Sequence, residues 1–401
     1  MGLAASLAAS LRRRSAGATL LVAATALLLA LSCSSDSGEE SSLFGDVAYL
    51  LDYGNVAGVD DPQYSLRAVD PASLVDFEEF PPIVLGKQAQ GAISPDGRTF
   101  AVLVANISAE RVVLYDLERW EVRSELGCVF DQRGCQHTST LQWDPAGELL
   151  YFTAGSSPKR LIAVDVETGD VRHSYNLPFS SQTVFPSPDS RLIYVFGSAA
   201  PDRSADPVEI RAEVAALDSA TGEIVWSLEL PGVLTAGPDA EGSGHLFFMP
   251  AAAMSPDGTS LYVAHADELK VTVVDLAAMT VSQTRALETP SRDERPHMSG
   301  GVAALRELVV SPDNKLLYLT DWGEISIQSE ADRVLLVDTE SLEVLDVLTP
   351  SGAYIAFGPL GKYTYAHQRD QLLALEAGTT NIIGSRVIGR FGRMLTSPAP
   401  E

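Results

Sequence analysis

Five histidines are the residues of this sequence best suited to chemistry near neutral pH. They are His137, His245, His265, His297 and His367, and each stands at the end of a predicted strand or in the connection beside it. Neutral imidazole is the commonest metal ligand and a usual proton shuttle, so a cluster of three or more would indicate a metal or catalytic site. No two histidines have the close spacing of a ligand pair, and separate polar loop residues fit the same pattern. The sequence is therefore consistent with a metal site and equally with separate polar residues in loops.

The best local group of functional side chains combines Arg295 and His297 with Asp321 and Trp322. It offers a cation, an imidazole, a carboxylate and an aromatic ring, which would suit an anionic or carbohydrate-like ligand. An Arg–Asp ion pair beneath a packed tryptophan explains the same residues.

Local signatures of several enzyme classes are absent from the sequence. It contains no Gly-rich phosphate loop, no Gly-x-Ser-x-Gly elbow, no His-Glu-x-x-His motif and no Cys-x-x-Cys-His motif. No cofactor is predicted, and an enzyme is the less favoured interpretation.

A repeated unit must position these residues. A proline-centred turn recurs six times, with its prolines 43 to 68 residues apart, at 94–97, 144–147, 187–190, 255–258, 311–314 and 358–361. An apolar run that ends in an acid before a turn recurs seven times, with the acids Asp70, Asp116, Asp165, Asp218, Asp275, Asp338 and Glu376. Apolar, β-branched runs between such turns predict blades of four antiparallel strands.

The two chain termini supply the pieces that one unit lacks. Residues 47–54 begin a unit that has no inner strand, and residues 392–398 resemble an isolated inner strand with its turn. A shared blade would close the ring, whereas a tail without regular structure is the alternative. The sequence therefore predicts an all-β, seven-bladed β-propeller over residues 45–398, closed by its N- and C-terminal strands.

The repeated pattern SPDG–LYVA–VDxxT resembles the YVTN/YncE-like family of seven-bladed propellers, within the quinoprotein amine dehydrogenase-like group. The segment 216–222 with Trp226 is similar to the tryptophan-docking repeat of PQQ-type propellers, which implies packing between blades and gives little support for a PQQ cofactor. The resemblance implies a fold. These folds host lactonases, dehydrogenase subunits, surface-layer proteins and binding scaffolds.

The two faces of the disc are expected to differ. The Pro turns and the turns after the repeated acids lie on one face, called the turn face, which we expect to be plain scaffold. The opposite face, called the connection face, receives connections of variable length at 126–138, 198–209, 230–250, 287–301 and 321–331. Long loops on a rigid scaffold usually carry binding, so the five histidines and the Arg295 group are predicted to serve there.

The N-terminal residues are predicted to form an export signal. Arg12, Arg13 and Arg14 precede an apolar run at 16–31, and Cys33 resembles the lipidated cysteine of bacterial lipoproteins. Residues 1–32 are predicted to be the signal peptide, and 33–44 an acidic, Ser-rich tether. Ordinary secretion and an uncleaved membrane anchor remain alternatives.

The two remaining cysteines, Cys128 and Cys135, are predicted to form a disulfide in an exported protein. A metal or redox pair is the alternative, although their spacing matches no zinc motif.

The charge of the chain argues against polyanionic partners. Removing residues 1–32, which hold three arginines and no acids, takes the formal charge from −25 to −28. Nucleic acid and anionic lipid headgroups are disfavoured, so the membrane would be reached through the lipid alone. The sequence favours a monomeric, lipid-anchored module of the cell envelope that binds a ligand or protein through its connection face. A lactonase or amine-dehydrogenase type of enzyme and a structural scaffold of the envelope are the alternatives.

Overall fold

Apolar runs joined by short turns form antiparallel strands throughout the computed structural model. It describes residues 47–54, 61–87, 89–106, 109–127, 141–154, 160–177, 179–199, 209–238, 245–247, 250–266, 268–288, 305–321, 333–348, 354–368, 371–379, 381–389 and 393–395. All of them belong to one compact unit, Asp46–Glu401.

The strands of this unit form seven sheets arranged as the blades of a ring, which confirms the predicted all-β propeller. Blade 1 comprises β29 (Arg393–Leu395), β1 (Ala48–Gly54), β2 (Gln63–Val69) and β3 (Ile83–Gly86), and blade 2 comprises β4 (Ala89–Ile93), β5 (Thr99–Asn106), β6 (Ala109–Asp116) and β7 (Glu121–Gly127). Blade 3 comprises β8 (Leu141–Trp143), β9 (Leu149–Ala154), β10 (Arg160–Asp165) and β11 (Val171–Asn176), and blade 4 comprises β12 (Ser180–Pro186), β13 (Leu192–Ser198), β14 (Ile210–Asp218), β15 (Ile224–Pro238) and β16 (His245–Phe247).

The last three blades have four strands each. They are blade 5, with β17 (Ala251–Met254), β18 (Ser260–Ala264), β19 (Lys270–Asp275) and β20 (Thr280–Ala286); blade 6, with β21 (Leu305–Val310), β22 (Leu316–Asp321), β23 (Arg333–Asp338) and β24 (Val344–Leu348); and blade 7, with β25 (Tyr354–Phe357), β26 (Tyr363–Gln368), β27 (Gln371–Glu376) and β28 (Ile382–Val387).

The Pro turns are built from local hydrogen bonds that the repeated serine and aspartate provide. In the turn after β17, Ser255 Oγ donates to Asp257 Oδ1 at 2.6 Å and accepts the Ser260 N–H at 2.9 Å. Asp257 Oδ1 also accepts the Thr259 N–H at 3.0 Å. The repeated motif therefore fixes the link between the first two strands of a blade.

Blade 1 is completed by both ends of the chain, as predicted. In β29, Leu395 pairs with Tyr49 of β1, and Met394 pairs with Leu50. The seam between blades 7 and 1 also carries charged contacts: Arg386 donates to both oxygens of Asp76 at 2.7 and 3.0 Å, and Arg67 donates to Asp76 at 3.0 Å. The inner strand and this ion network together join the first and last blades.

Blade 4 departs from the predicted pattern, because it contains five strands. The connection 230–250 was expected to be a loop, but β15 continues to Pro238 and pairs with β16. The Pro231-Gly232 pair has the local features of a turn, and Gly232 has a positive φ of 76°, but both residues lie within β15. The pairing of β14 with β15 shifts register nearby, between Arg211 and Glu213 of β14. The extra residues of β15 therefore form a bulge-like irregularity, and the strand continues beyond it.

Apolar clusters span neighbouring blades and hold the ring together. One cluster combines Val112 of blade 2 with Phe152 and Ile162 of blade 3, all of them buried. Trp226 of blade 4 donates from Nε1 to the Met279 carbonyl of blade 5 at 3.2 Å, so this tryptophan does connect two blades. In the part of the chain that the structure describes, no helix is long and apolar enough to cross a membrane.

Candidate functional site

In the part of the chain that the structure describes, inner strands of the blades line two cavities along an axial channel. The larger one, about 640 Å³, lies where inner strands of four consecutive blades run into their Pro turns, and we call it the turn-side cavity. The smaller one, about 210 Å³, lies nearer the connection face, and we call it the Glu307 chamber. Gly91 and Leu395 line both cavities and mark the boundary between them.

The Glu307 chamber brings a carboxylate and an imidazole into one space. Glu307 lies near the start of β21 and His367 near the end of β26, and both strand ends face the connection side. The Glu307 carboxylate accepts the Ile355 N–H at 3.0 Å, and the backbone N–H of Glu307 donates to Thr320 Oγ1 at 3.0 Å. A carboxylate that is held by a backbone N–H of the neighbouring blade is a preorganised hydrogen-bond acceptor.

The walls of the Glu307 chamber are mainly apolar. They include Val309, Ile355, Leu372 and Met394, and His367 is only 2% exposed. A small apolar space with a few polar groups is the usual composition of a small-molecule site. Of the histidines singled out from the sequence, His367 is the one placed in a described cavity.

His265 follows β18 and is enclosed within blade 5, with 1% of its surface exposed. Its Nε2 lies 2.8 Å from Thr272 Oγ1, which lies 3.0 Å from Thr284 Oγ1. The three side chains form a polar row across β18, β19 and β20. His265 and His367 therefore lie in different blades and different surroundings, and this row supports the packing of blade 5.

The stability of the protein should fall as the pH falls from about 6.5 towards 4, in part because of His265. Burial lowers the pKa of His265 to about 4, Lys270 contributes to the lowering, and Glu268 and the Gly232 backbone oppose it. The unfolded chain, whose histidine titrates near 6.5, therefore binds a proton first, and acid favours unfolding by up to about 3 kcal/mol. Urea unfolding of wild type and His265→Gln at pH 7 and pH 5 measures this effect.

His265→Gln should show a smaller loss of stability between pH 7 and pH 5 than the wild type, because glutamine stays uncharged. Equal losses in the two proteins would contradict a role of the buried imidazole.

The remaining predicted site residues are not among the described residues that line either cavity. His245 lies in β16, and Asp321 pairs through its backbone with Leu305 and Arg333. Lying outside the described residues are His137, Arg295, His297, Trp322, Cys33, Cys128 and Cys135. Among the residues that are described, no three His, Cys, Asp or Glu side chains are grouped so that they could hold a metal ion.

The inner-strand residues that line the channel were not predicted from the sequence. Glu307 stands beside Arg306 in the inner strand LRELVV, whose other four residues are apolar, and this contrast was a usable signal. Gln142 and Phe185, which line the turn-side cavity, carry no comparable signal. The turn face was expected to be plain scaffold, but the larger cavity lies beside its Pro turns.

Comparisons with known proteins identify the fold. No family model and no curated protein matches the chain, so the resemblance to the YVTN/YncE-like family stays a prediction. Among solved structures, the chain is similar to hydrazine synthase of Kuenenia stuttgartiensis, with 19% identity over 71% of this chain and 75% of that chain at a TM-score of 0.47. It is also similar to the Cps50 (Swd1) β-propeller domain of Myceliophteria thermophila, with 16% identity over 78% and 86% at 0.49.

A third similar structure is a functionally unknown protein from Desulfotomaculum acetoxidans, with 12% identity over 87% of this chain and 99% of that chain at a TM-score of 0.53. Likeness at such low identity extends to the fold alone, because one fold carries many functions.

Proposed function

We propose that the protein is an exported, lipid-anchored binding module of the cell envelope that takes a small ligand or a partner at its connection face. The basic and apolar leader, Cys33 at its end and the acidic tether at 33–44 support the location. In this arrangement the propeller is the rigid part, and the tether holds it away from the membrane.

The Glu307 chamber is the observation that carries the binding role. It is preformed by strands of blades 6, 7, 1 and 2 and lies towards the connection face. Its acceptor, the Glu307 carboxylate, is held by the Ile355 N–H. Tyr365 also lines the chamber, and its hydroxyl donates to the carbonyl of Pro71 in the neighbouring blade at 3.0 Å. The chamber thus offers fixed hydrogen-bonding and apolar contacts, which suit binding of a small molecule with N–H or O–H donors.

Intact mass spectrometry of the protein extracted from bacterial membranes tests the proposal. We expect a mature chain that begins at an acylated Cys33 and carries a small non-covalent ligand. Glu307→Gln should lower the ligand occupancy about tenfold or more, because a hydrogen bond to a charged group contributes about 1.5–3 kcal/mol.

Glu118→Gln is the matched control, since Glu118 is an exposed acid beyond β6 and lies away from the channel. It should retain the ligand of the wild type. An unmodified residue upstream of Cys33 would contradict the lipid anchor. A wild-type protein without bound mass, or equal occupancy in Glu307→Gln, would contradict the binding site.

A further inference from the structure

The turn-side cavity is a second candidate binding site, at the opposite end of the channel from the Glu307 chamber. Its volume of about 640 Å³ lies within the range of about 300–1,000 Å³ for small-molecule sites. Pro95, Pro145 and Pro256 of three Pro turns stand at its edge. Proline fixes φ, and the turns are closed by their own hydrogen bonds, so the rim is formed before any ligand arrives.

Apart from Asp144, the polar side chains that line this cavity are neutral. Gln90 and Gln142 contribute carboxamides from β4 and β8, and Thr183 contributes a hydroxyl from β12. The Gln142 side chain is exposed, and those of Gln90 and Thr183 are partly buried. Each carboxamide offers both a donor and an acceptor, and each hydroxyl can act as either. Such groups match a ligand that also presents donors and acceptors together.

The apolar groups lie beside these polar ones. Phe185 and Met254 are partly buried in the cavity wall, and Trp143 lies deeper with 5% of its surface exposed. Trp143 is fixed because its Nε1 donates to the Ala92 carbonyl at 3.0 Å. A flat apolar ligand face could therefore pack against this wall while polar groups at its edge reach the carboxamides.

Charge restricts the ligand further. Among the described residues that line the turn-side cavity, Asp144 is the one ionisable side chain, and it is only 3% exposed. Its Oδ1 already accepts the Leu149 N–H at 2.7 Å within its turn. An anion would meet no cation here, in a protein whose formal charge is −25. A cation would meet a buried carboxylate that is already engaged.

We infer that the turn-side cavity binds a neutral saccharide. The hydroxyls of a sugar pair donors with acceptors, as Gln90, Gln142 and Thr183 require, and the C–H face of a sugar ring is the apolar surface that Phe185 and Met254 can cover. This site is separate from the Glu307 chamber and does not depend on the function proposed for it.

Isothermal titration calorimetry tests the inference. The neutral disaccharides cellobiose, maltose and chitobiose are compared with two charged sugars, sialyllactose and glucose 6-phosphate. At least one neutral sugar should bind, and the charged sugars should not. Gln142→Ala should weaken that binding about threefold to tenfold, as expected for the loss of one neutral hydrogen bond. Gln371→Ala, which changes an exposed glutamine on β27 away from the cavity, should bind like the wild type.

Gln142 is exposed, so Gln142→Ala should melt at the wild-type temperature and still report on binding. Glu307→Gln should also leave saccharide binding unchanged, which separates this site from the Glu307 chamber. The inference is overturned if no neutral sugar binds, if the charged sugars bind better, or if Gln142→Ala has no effect. Loss of sugar binding in Glu307→Gln would place the sugar in the other chamber and would overturn it as well.

Discussion

Gly258→Ala is expected to lower the free energy of unfolding by about 3 kcal/mol, because two costs combine at this position. Gly258 has a φ of +69°, and a left-handed conformation costs other residues about 1–2 kcal/mol. An added Cβ would also lie 2.3 Å from Pro188 Cδ and 2.6 Å from Pro188 Cγ, in the Pro turn of the neighbouring blade. Overpacking of this kind costs about 1–3 kcal/mol. Urea unfolding at pH 7 measures the sum.

Gly378→Ala separates the two costs. Gly378 has a similar φ of +72°, but the nearest atom to an added Cβ would be Leu316 Cδ1 at 3.9 Å, an ordinary contact. This variant should therefore lose about 1–2 kcal/mol, the backbone cost alone. Equal losses in the two variants would show that the contact between Gly258 and Pro188 contributes nothing.

Removal of residues 390–401 is expected to disrupt the ring. The truncation deletes β29, so Tyr49, Leu50 and Leu51 of β1 lose one of their two partner strands and keep only β2. It also removes Met394 and Leu395, each 6% exposed, whose burial contributes about 1.5–3 kcal/mol apiece. We expect a much lower melting temperature and aggregation through the exposed strand edge, measured by differential scanning calorimetry and size-exclusion chromatography.

A chain that ends at Ser397 retains β29 and is the matched control. It should remain monomeric and melt like the full-length protein. A monomeric, stable protein that lacks residues 390–401 would mean that the seam between blades 7 and 1 holds without its inner strand.

Ring closure and ligand binding are connected through β29. Leu395 lines both the turn-side cavity and the Glu307 chamber, and Met394 lines the chamber. The strand that completes blade 1 therefore also divides the channel. Both proposed sites depend on a correctly closed ring.

The sequence alone predicted the architecture because the signals for it are local and repeated. A turn such as Ser255–Gly258 needs residues within six positions of one another, and the strands beside it need only an apolar pattern. Even the shared blade was predictable, since the fragment at 392–398 matched the piece that the first unit lacked. The fifth strand of blade 4 was missed, because Pro231-Gly232 has the local features of a turn and only pairing with β14 and β16 extends the strand.

The sites depended on the tertiary structure. Glu307 and His367 come from blades 6 and 7, and Gln142 and Phe185 from blades 3 and 4, so only the packing of neighbouring blades brings either pair to one cavity. His265 and His367 occupy similar places in the repeat, yet the first is enclosed beside Thr272 and the second lines the Glu307 chamber. Local sequence sets the strands and turns, whereas the packing of each blade against its neighbours decides which side chains reach the channel.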